Sequence, residues 1–245
     1  MRMKLKILFL AMAAVMMLVP VQASAESIEL ELVLGVDVSG SIDATEFTLQ
    51  RTGYVNAFTN TVAGLFNDPN LTVSPFVVTL FYWSSDNQQQ QAVGWTLIDS
   101  AADAIAFGNA IGLASRPYSG LTAVGNALDF GENLFTTNTY DGVRRVIDIS
   151  GDGEKNDGIA NYSVADDIIV NALAIQYDSV LTWYKTNVTD PAGGFAIKAD
   201  SFDDFEAKLG QKIKAEITNQ PIPEPMSLIL LGLGLAGLAS FRRKF

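Results

Sequence analysis

Two carboxylates and three hydroxyls in this sequence have the types and spacing to hold a hard metal cation. Asp37, Ser39 and Ser41 alternate along one stretch, so in extended backbone their side chains project to the same side. Thr122 and Asp152 occur in two later polar loops. Oxygen ligands of this kind suit Mg²⁺ best, with Mn²⁺ and Ca²⁺ as alternatives. The sequence therefore predicts a metal site formed by Asp37, Ser39, Ser41, Thr122 and Asp152.

The composition limits any other chemistry. The 245 residues include no cysteine and no histidine, which excludes disulfides, thiolate nucleophiles, histidine general bases and histidine-ligated zinc. The formal net charge of −11 argues against nucleic-acid binding. What remains is chemistry by carboxylates, hydroxyls and amines, or by a metal that oxygen atoms hold.

Alternating strands and helices are predicted to position the five residues. The stretch 32–36 is almost continuously apolar, which is typical of a strand buried on both faces of a parallel sheet. Asp43 and Glu46 form a capping-box start for the helix that follows. Further strands are predicted at 71–83, 92–98, 143–149, 168–175 and 194–199, and helices at 45–66, 100–113, 122–134, 180–187 and 201–217. This order predicts an α/β, three-layer Rossmann-like fold, with helices on both faces of a mostly parallel sheet and one antiparallel edge strand.

The predicted topology brings the three polar clusters to one edge of the sheet. Asp37 follows the first strand, Asp152 follows the strand 143–149, and Thr122 lies near the start of a helix. Ligands of open α/β sheets bind at the carboxyl ends of the strands. Each cluster alone also has a structural interpretation, as a polar loop, a helix N-cap or a turn, but their coincidence favours a metal site.

Asp148 is a further carboxylate, and it lies within the apolar strand 143–149. As a functional group it would be a carboxylic acid with a raised pKa. As a structural group it would be a buried carboxylate paired with a donor from a loop. We predict that Asp148 is a buried carboxylate with this structural role.

The polar clusters resemble the von Willebrand factor A (VWA) domain and its metal-ion-dependent adhesion site (MIDAS). The stretch 37–41 matches the D-x-S-x-S motif, 120–128 matches the threonine loop, and 151–153 matches the D-G loop, with Gly151 where threonine is usual. The similarity covers most of residues 28–217. It extends to bacterial secreted A-domain proteins of unassigned function through the stretches 82–84, 95–99 and 144–153.

The resemblance implies a VWA fold and a Mg²⁺ site that an Asp or Glu of a partner protein completes. Two charged ligands among five leave the bound cation more Lewis acidity than four carboxylates would. An open coordination position can then accept the partner's carboxylate.

Both ends of the chain carry targeting patterns. Residues 1–25 read as a secretory signal peptide, with a basic start, an apolar run at 7–19 and an Ala-Ser-Ala cleavage site. The VWA-like domain is then predicted at 26–220, outside the cytoplasm.

Residues 221–245 closely resemble the PEP-CTERM sorting signal of Gram-negative bacteria, with Pro-Glu-Pro at 223–225, an uncharged run at 226–241 and a basic end. In that family a membrane-embedded exosortase processes the tail. The uncharged run would span roughly 24 Å as a helix, at the short end for a transmembrane helix. We therefore expect transient membrane insertion and an inner-membrane tether before processing.

These features predict a secreted or cell-envelope, metal-dependent protein-binding and adhesion module that is not an enzyme. Its expected location is the periplasm, the outer cell surface or the extracellular matrix. Two alternatives stay open. One is a carboxylate-based hydrolase of extracellular polysaccharide that uses Asp152 and a second acid, which the sequence does not identify. The other is a structural matrix protein whose metal site is not used.

Overall fold

The computed structural model describes residues 26–160, 162–189 and 193–221. The predicted signal peptide, the Pro-Glu-Pro motif and the predicted membrane span at 226–241 lie outside the described residues. Within the described part of the chain, no helix is long and apolar enough to cross a membrane.

A six-stranded sheet forms the centre of the domain, with the strand order β3-β2-β1-β4-β5-β6. All neighbouring strands are parallel except β2 and β3, so β3 is the antiparallel edge strand. Helices pack on the sheet, and the predicted fold class is confirmed. The strands are β1 (Glu26–Asp37), β2 (Phe76–Trp83), β3 (Gln89–Ile98), β4 (Tyr140–Gly151), β5 (Ile168–Ile175) and β6 (Ala196–Ala199).

The helices start where the sequence supplies caps. The carboxylate of Asp43 accepts hydrogen bonds from the amides of Thr45 and Glu46, and Glu46 accepts one from the Asp43 amide, which confirms the predicted capping box. The hydroxyls of Ser100 and Ser201 cap the helices that follow them, each accepting from the amide three residues later. The helices are α1 (Ala44–Asn56), which continues through a π-helical segment (Ala57–Val62) into α2 (Ala63–Asn67), then α3 (Ala101–Leu113), α4 (Val124–Leu134), α5 (Asp178–Asn187) and α6 (Phe202–Thr218).

Two apolar cores lie on opposite faces of the sheet, because successive residues of a strand point to opposite sides. Leu32 and Leu34 of β1 contribute to the first core, with residues of α1, α3 and α6. Val33 contributes to the second core, with residues of α4 and α5. The sheet is therefore covered on both faces, and β1 is buried along most of its length.

Several local predictions differ from the structure; the strand predicted at 71–83, for example, begins only at Phe76. The polar stretch 84–91 lies between the predicted strands 71–83 and 92–98, yet Gln89–Gln91 belongs to β3. There Gln91 pairs with Phe81 and donates to the Thr79 hydroxyl at 2.8 Å. An edge strand accepts glutamines because one side of it stays open to water. The helix predicted from Thr122 begins two residues later, with Ala123 at the N-cap.

Asp148 is fully buried in β4, and its cationic neighbour comes from a helix. Nζ of Lys212 on α6 lies 2.5 Å from an Asp148 carboxylate oxygen and 2.8 Å from a Glu216 oxygen. Asn171 of β5 donates to the same Glu216 oxygen at 2.8 Å. Burial and the charge of Asp148 raise the pKa of Glu216 to about 8. The predicted loop donor is wrong, because α6 packs across this part of the sheet and supplies the amine.

The topology leaves one crevice where a ligand site is expected. β1 lies between β2 and β4, so the chain leaves β1 toward one side of the sheet and later returns on the other. Such a switch in direction separates the loops that follow the two strands and opens a gap at their carboxyl ends. Asp37 ends β1 and Asp152 follows β4 directly, so both carboxylates lie at this gap.

Candidate metal centre

Asp37 is held at the end of β1 with one carboxylate oxygen unused. Its side chain is 0 % exposed. Oδ1 accepts a hydrogen bond from the Ser39 amide at 2.7 Å, which folds the loop back on the strand end. Within the part of the chain that the structure describes, Oδ2 has no hydrogen-bond partner. A buried carboxylate oxygen without a donor is costly, and a cation would relieve that cost.

A chain of hydroxyl groups links the first loop to the second carboxylate. The hydroxyl oxygens of Ser39 and Ser41 lie 3.1 Å apart. Ser41 then donates to Oδ1 of Asp152 at 2.7 Å, across two loops that are remote in the sequence. Asp152 is 8 % exposed, whereas Ser41 is exposed, so the cluster opens to solvent on the Ser41 side. Four of the five predicted residues are thus connected, directly or through the Ser39 amide.

Thr122 lies against the same loop as Asp152. It is 4 % exposed, and its side chain borders Gly153. The Thr122 amide donates to the Asn156 side chain at 2.8 Å, and the Thr122 carbonyl accepts from the amides of Asn156 and Asp157. The structure therefore brings all five predicted residues to one edge of the sheet, with Thr122 placed by backbone contacts.

Sequence reasoning missed the residues that hold these loops in place. Nη2 of Arg116 donates to the carbonyls of Val38 and Ser39 at 2.9 and 2.8 Å, and its Nε donates to the Tyr118 carbonyl. The guanidinium thus clamps the backbone of the first loop from outside. The sequence signal that could have pointed to Arg116 is that it is an isolated arginine in a polar loop of an acidic chain.

The end of β2 anchors the loop that carries Thr122. The Ser84 hydroxyl accepts from the Gly120 amide and the Ser85 hydroxyl from the Leu121 amide, both at 2.7 Å. The Gly120 carbonyl in turn accepts from the Gly40 amide at 2.7 Å, which joins the first loop to the threonine loop. A side chain at position 120 would collide with the Ser85 hydroxyl and the Gln88 side chain and crowd the Ser84 hydroxyl, so the close approach favours glycine.

Burial raises the pKa values of both site carboxylates. The pKa of Asp37 is raised from 3.8 to about 7, chiefly by burial and further by the charge of Asp152, against the hydrogen bonds of Ser39. Burial and the charge of Glu46 raise the pKa of Asp152, against the hydrogen bond from Ser41. Two carboxylates in one partly dehydrated crevice repel each other, and a divalent cation would stabilise both ionised forms.

The donor set fits Mg²⁺ or Mn²⁺. Every candidate ligand atom is a carboxylate or hydroxyl oxygen, and Oδ2 of Asp37 has no donor among the residues that the structure describes. Over the described residues, no three acidic, histidine or cysteine side chains group closely enough to form a metal site of their own. A metal centre here would therefore depend on the serine and threonine hydroxyls. A bound divalent cation would supply positive charge and a Lewis acid that can accept another carboxylate oxygen.

Two family descriptions match the chain. "Protein of unknown function (DUF1194)" matches residues 27–221, and "PEP-CTERM protein-sorting motif" matches residues 221–244. The second match confirms the predicted sorting signal. Comparison with curated proteins gives no match.

Several solved structures share the fold at low sequence identity. The pilus adhesin SpaC from Lactobacillus rhamnosus GG has a TM-score of 0.55 and 18% identity over 78% of this chain and 31% of its own. Proximal thread matrix protein 1 from the mussel byssus, "with zinc occupied MIDAS motif", has a TM-score of 0.52 and 16% identity over 80% of this chain and 48% of its own. A variant of the PilB minor pilin from Streptococcus sanguinis has a TM-score of 0.52 and 13% identity over 81% and 63%. This chain therefore spans less than two thirds of each, and the likeness shows the fold alone.

Proposed function

This chain belongs to the DUF1194 family of proteins of unknown function, and we propose that it is an exported, Mg²⁺-dependent binding module of the VWA type with an adhesion or matrix role. The observation that carries the proposal is the convergence of Asp37, Ser39, Ser41 and Asp152 at the switch point of the sheet, with Asp37 Oδ2 unpartnered among the described residues. We assign it no catalytic role.

The proposed ligands are of two kinds, charged and neutral. Asp37 and Asp152 supply the negative charge, and Ser39, Ser41 and Thr122 supply neutral oxygens. The Ser41 proton is directed at Asp152 Oδ1, so the Ser41 oxygen accepts from Ser39 and keeps one lone pair free for a cation. The same hydrogen bond orients Asp152. The site thus offers preorganised oxygens on loops that backbone contacts already hold.

The surroundings of the site favour a protein partner. Leu121, next to Thr122, is 54% exposed and offers an apolar contact beside the proposed metal. Asp43, Asp86 and Glu154 are exposed in the loops that carry or support the site. These carboxylates would repel an isolated acidic residue. We therefore propose that the partner presents one Asp or Glu flanked by basic side chains.

Export follows from the sorting motif at the C-terminus, which marks the chain for the cell envelope or surface. We further propose that an exosortase-type enzyme processes the tail, and that the tail tethers the protein to the inner membrane until then. The predicted signal peptide and membrane helix belong to this proposal. The names of the adhesin and of the mussel matrix protein are consistent with a role outside the cytoplasm.

A peptide array tests the proposed binding mode. We expect the protein to bind peptides that carry one Asp or Glu between Lys or Arg residues, with roughly 10-fold or greater preference over the Asn or Gln counterparts in Mg²⁺. EDTA and Asp37→Ala should both abolish the preference. Asp166→Ala is the matched control. Asp166 is exposed and precedes the start of β5, whereas the site lies at the carboxyl ends of the strands. The proposal would be contradicted by binding that persists in EDTA, or by equal binding of the Asp or Glu peptides and their Asn or Gln counterparts.

A further inference from the structure

A tyrosine hydroxyl lies beside the carboxylate of Asp37, in space that a side chain at position 151 would otherwise take. A Cβ built on Gly151 would be 2.5 Å from Oη of Tyr184 and 2.8 Å from Oδ2 of Asp37. The two oxygens therefore border the same small volume. Asp37 and Gly151 lie on the two strands that flank the crevice, and Tyr184 reaches between them from α5.

Both oxygens are buried, and neither has a hydrogen-bond partner within the described ranges. Tyr184 is 0 % exposed and belongs to the second core. Buried tyrosine hydroxyls normally find an acceptor, and a buried carboxylate oxygen normally finds a donor. A phenylalanine would fill the apolar part of this position without leaving an unsatisfied hydroxyl. The packing of the core therefore does not explain the hydroxyl.

The chemistry of the two groups is complementary. Tyr184 can donate one proton, and Oδ2 of Asp37 can accept one when the carboxylate is ionised. Oδ1 of Asp37 is already oriented by the Ser39 amide at 2.7 Å. A second donor on Oδ2 would fix the rotation of the carboxylate plane. Only a glycine at position 151 leaves room for that hydroxyl.

We propose that Tyr184 is a positioning residue for the metal centre and that its hydroxyl orients the Asp37 carboxylate toward the cation. This inference rests on the proposed metal-binding function. Groups that orient metal ligands from behind typically change metal affinity by about 10–100-fold when they are removed. Gly151 and Tyr184 act as a pair, since the missing side chain of one admits the hydroxyl of the other.

Calorimetric titration of Mg²⁺ and Mn²⁺ into the purified protein and two variants tests the inference. We expect Tyr184→Phe to weaken binding by roughly 10-fold or more. Tyr54→Phe is the matched control: Tyr54 is equally buried, but its hydroxyl donates to Ser150 on the other face of the sheet. This control should leave metal affinity unchanged.

Thermal unfolding in EDTA separates positioning from packing. Without metal, Tyr184→Phe should unfold at the same temperature as the parent protein or higher, because the hydroxyl that it removes has no hydrogen-bond partner among the described residues. A Tyr184→Phe variant that binds metal as tightly as the parent would overturn the inference and leave the metal site intact. So would an equal loss of metal affinity in Tyr54→Phe, because the effect would then not be specific to the hydroxyl beside Asp37. Absence of binding in the parent protein would instead overturn the proposed function, and this inference with it.

Discussion

Lys212→Met is expected to destabilise the domain by about 3–5 kcal/mol, because it leaves two buried carboxyl groups without a cation. The amine of Lys212 lies 2.5 Å from Asp148 and 2.8 Å from Glu216, and all three side chains are almost fully buried. Removing one partner from a buried ionic cluster costs more than the cluster contributes as a whole, since the remaining charges lose their compensation. Protonation of Glu216, whose pKa burial raises to about 8, would reduce the loss but not remove it.

Urea unfolding of the variant and of two controls measures this effect. Lys214→Met changes an exposed lysine on the same helix and should alter the free energy of unfolding by no more than about 0.5 kcal/mol. Lys212→Met/Asp148→Leu/Glu216→Gln removes the cluster as a unit and should recover much of the lost stability. A loss below about 1 kcal/mol in Lys212→Met would show that the cluster does not hold α6 to the sheet.

Asp37→Asn is expected to stabilise the folded protein in the absence of metal and to make it less stable than the parent in Mg²⁺. Between about pH 4 and pH 7 the folded protein keeps a proton on Asp37 that the unfolded chain has lost, because burial raises the pKa from 3.8 to about 7. Stability without metal therefore falls as the pH rises through this window. Glu216 contributes with the same sign up to about pH 8. At about pH 8 in EDTA, Asp37→Asn should be more stable than the parent by on the order of 2–4 kcal/mol.

Magnesium should reverse that order. A ligand that binds the folded state alone adds about 2.7 kcal/mol when its concentration is a hundred times its dissociation constant. The parent protein should gain this stabilisation in Mg²⁺, and Asp37→Asn should not. Thermal unfolding at several pH values, in EDTA and in Mg²⁺, measures both effects, with Asp166→Asn as the control for removal of one exposed charge. If the variant is the less stable protein in EDTA, the buried carboxylate is not the destabilising group inferred here.

Much of the fold was predictable because its signals are local. The apolar stretch 32–36 predicted the buried central strand, and Asp43 with Glu46 predicted the start of α1. The three layers and the mostly parallel sheet with one antiparallel edge strand followed from the alternation of elements. The limits of β3 were missed, since an edge strand tolerates glutamines that a pattern of hydrophobicity reads as loop.

The part of the candidate site that lies in sequence motifs was predictable. Ser39, Ser41 and Asp152 lie in recognisable motifs that the sheet brings together, and the structure joins them by hydrogen bonds. Arg116 and Tyr184 were missed because their contacts are made only in the folded chain. Lys212 gave no signal either, because a lysine on an amphipathic helix normally faces water.

Titration of Mg²⁺ into the parent protein and into Asp37→Ala/Asp152→Ala tests the metal site most directly. The control Asp68→Ala/Asp166→Ala also removes two negative charges. Both positions precede strands, β2 and β5, and so lie away from the carboxyl ends of the strands, where the site is. We expect saturable binding in the parent and in the control, and a loss of roughly 100-fold or more in affinity in the site variant. Saturable binding that survives Asp37→Ala/Asp152→Ala, or no binding in the parent protein, would contradict the proposed metal centre.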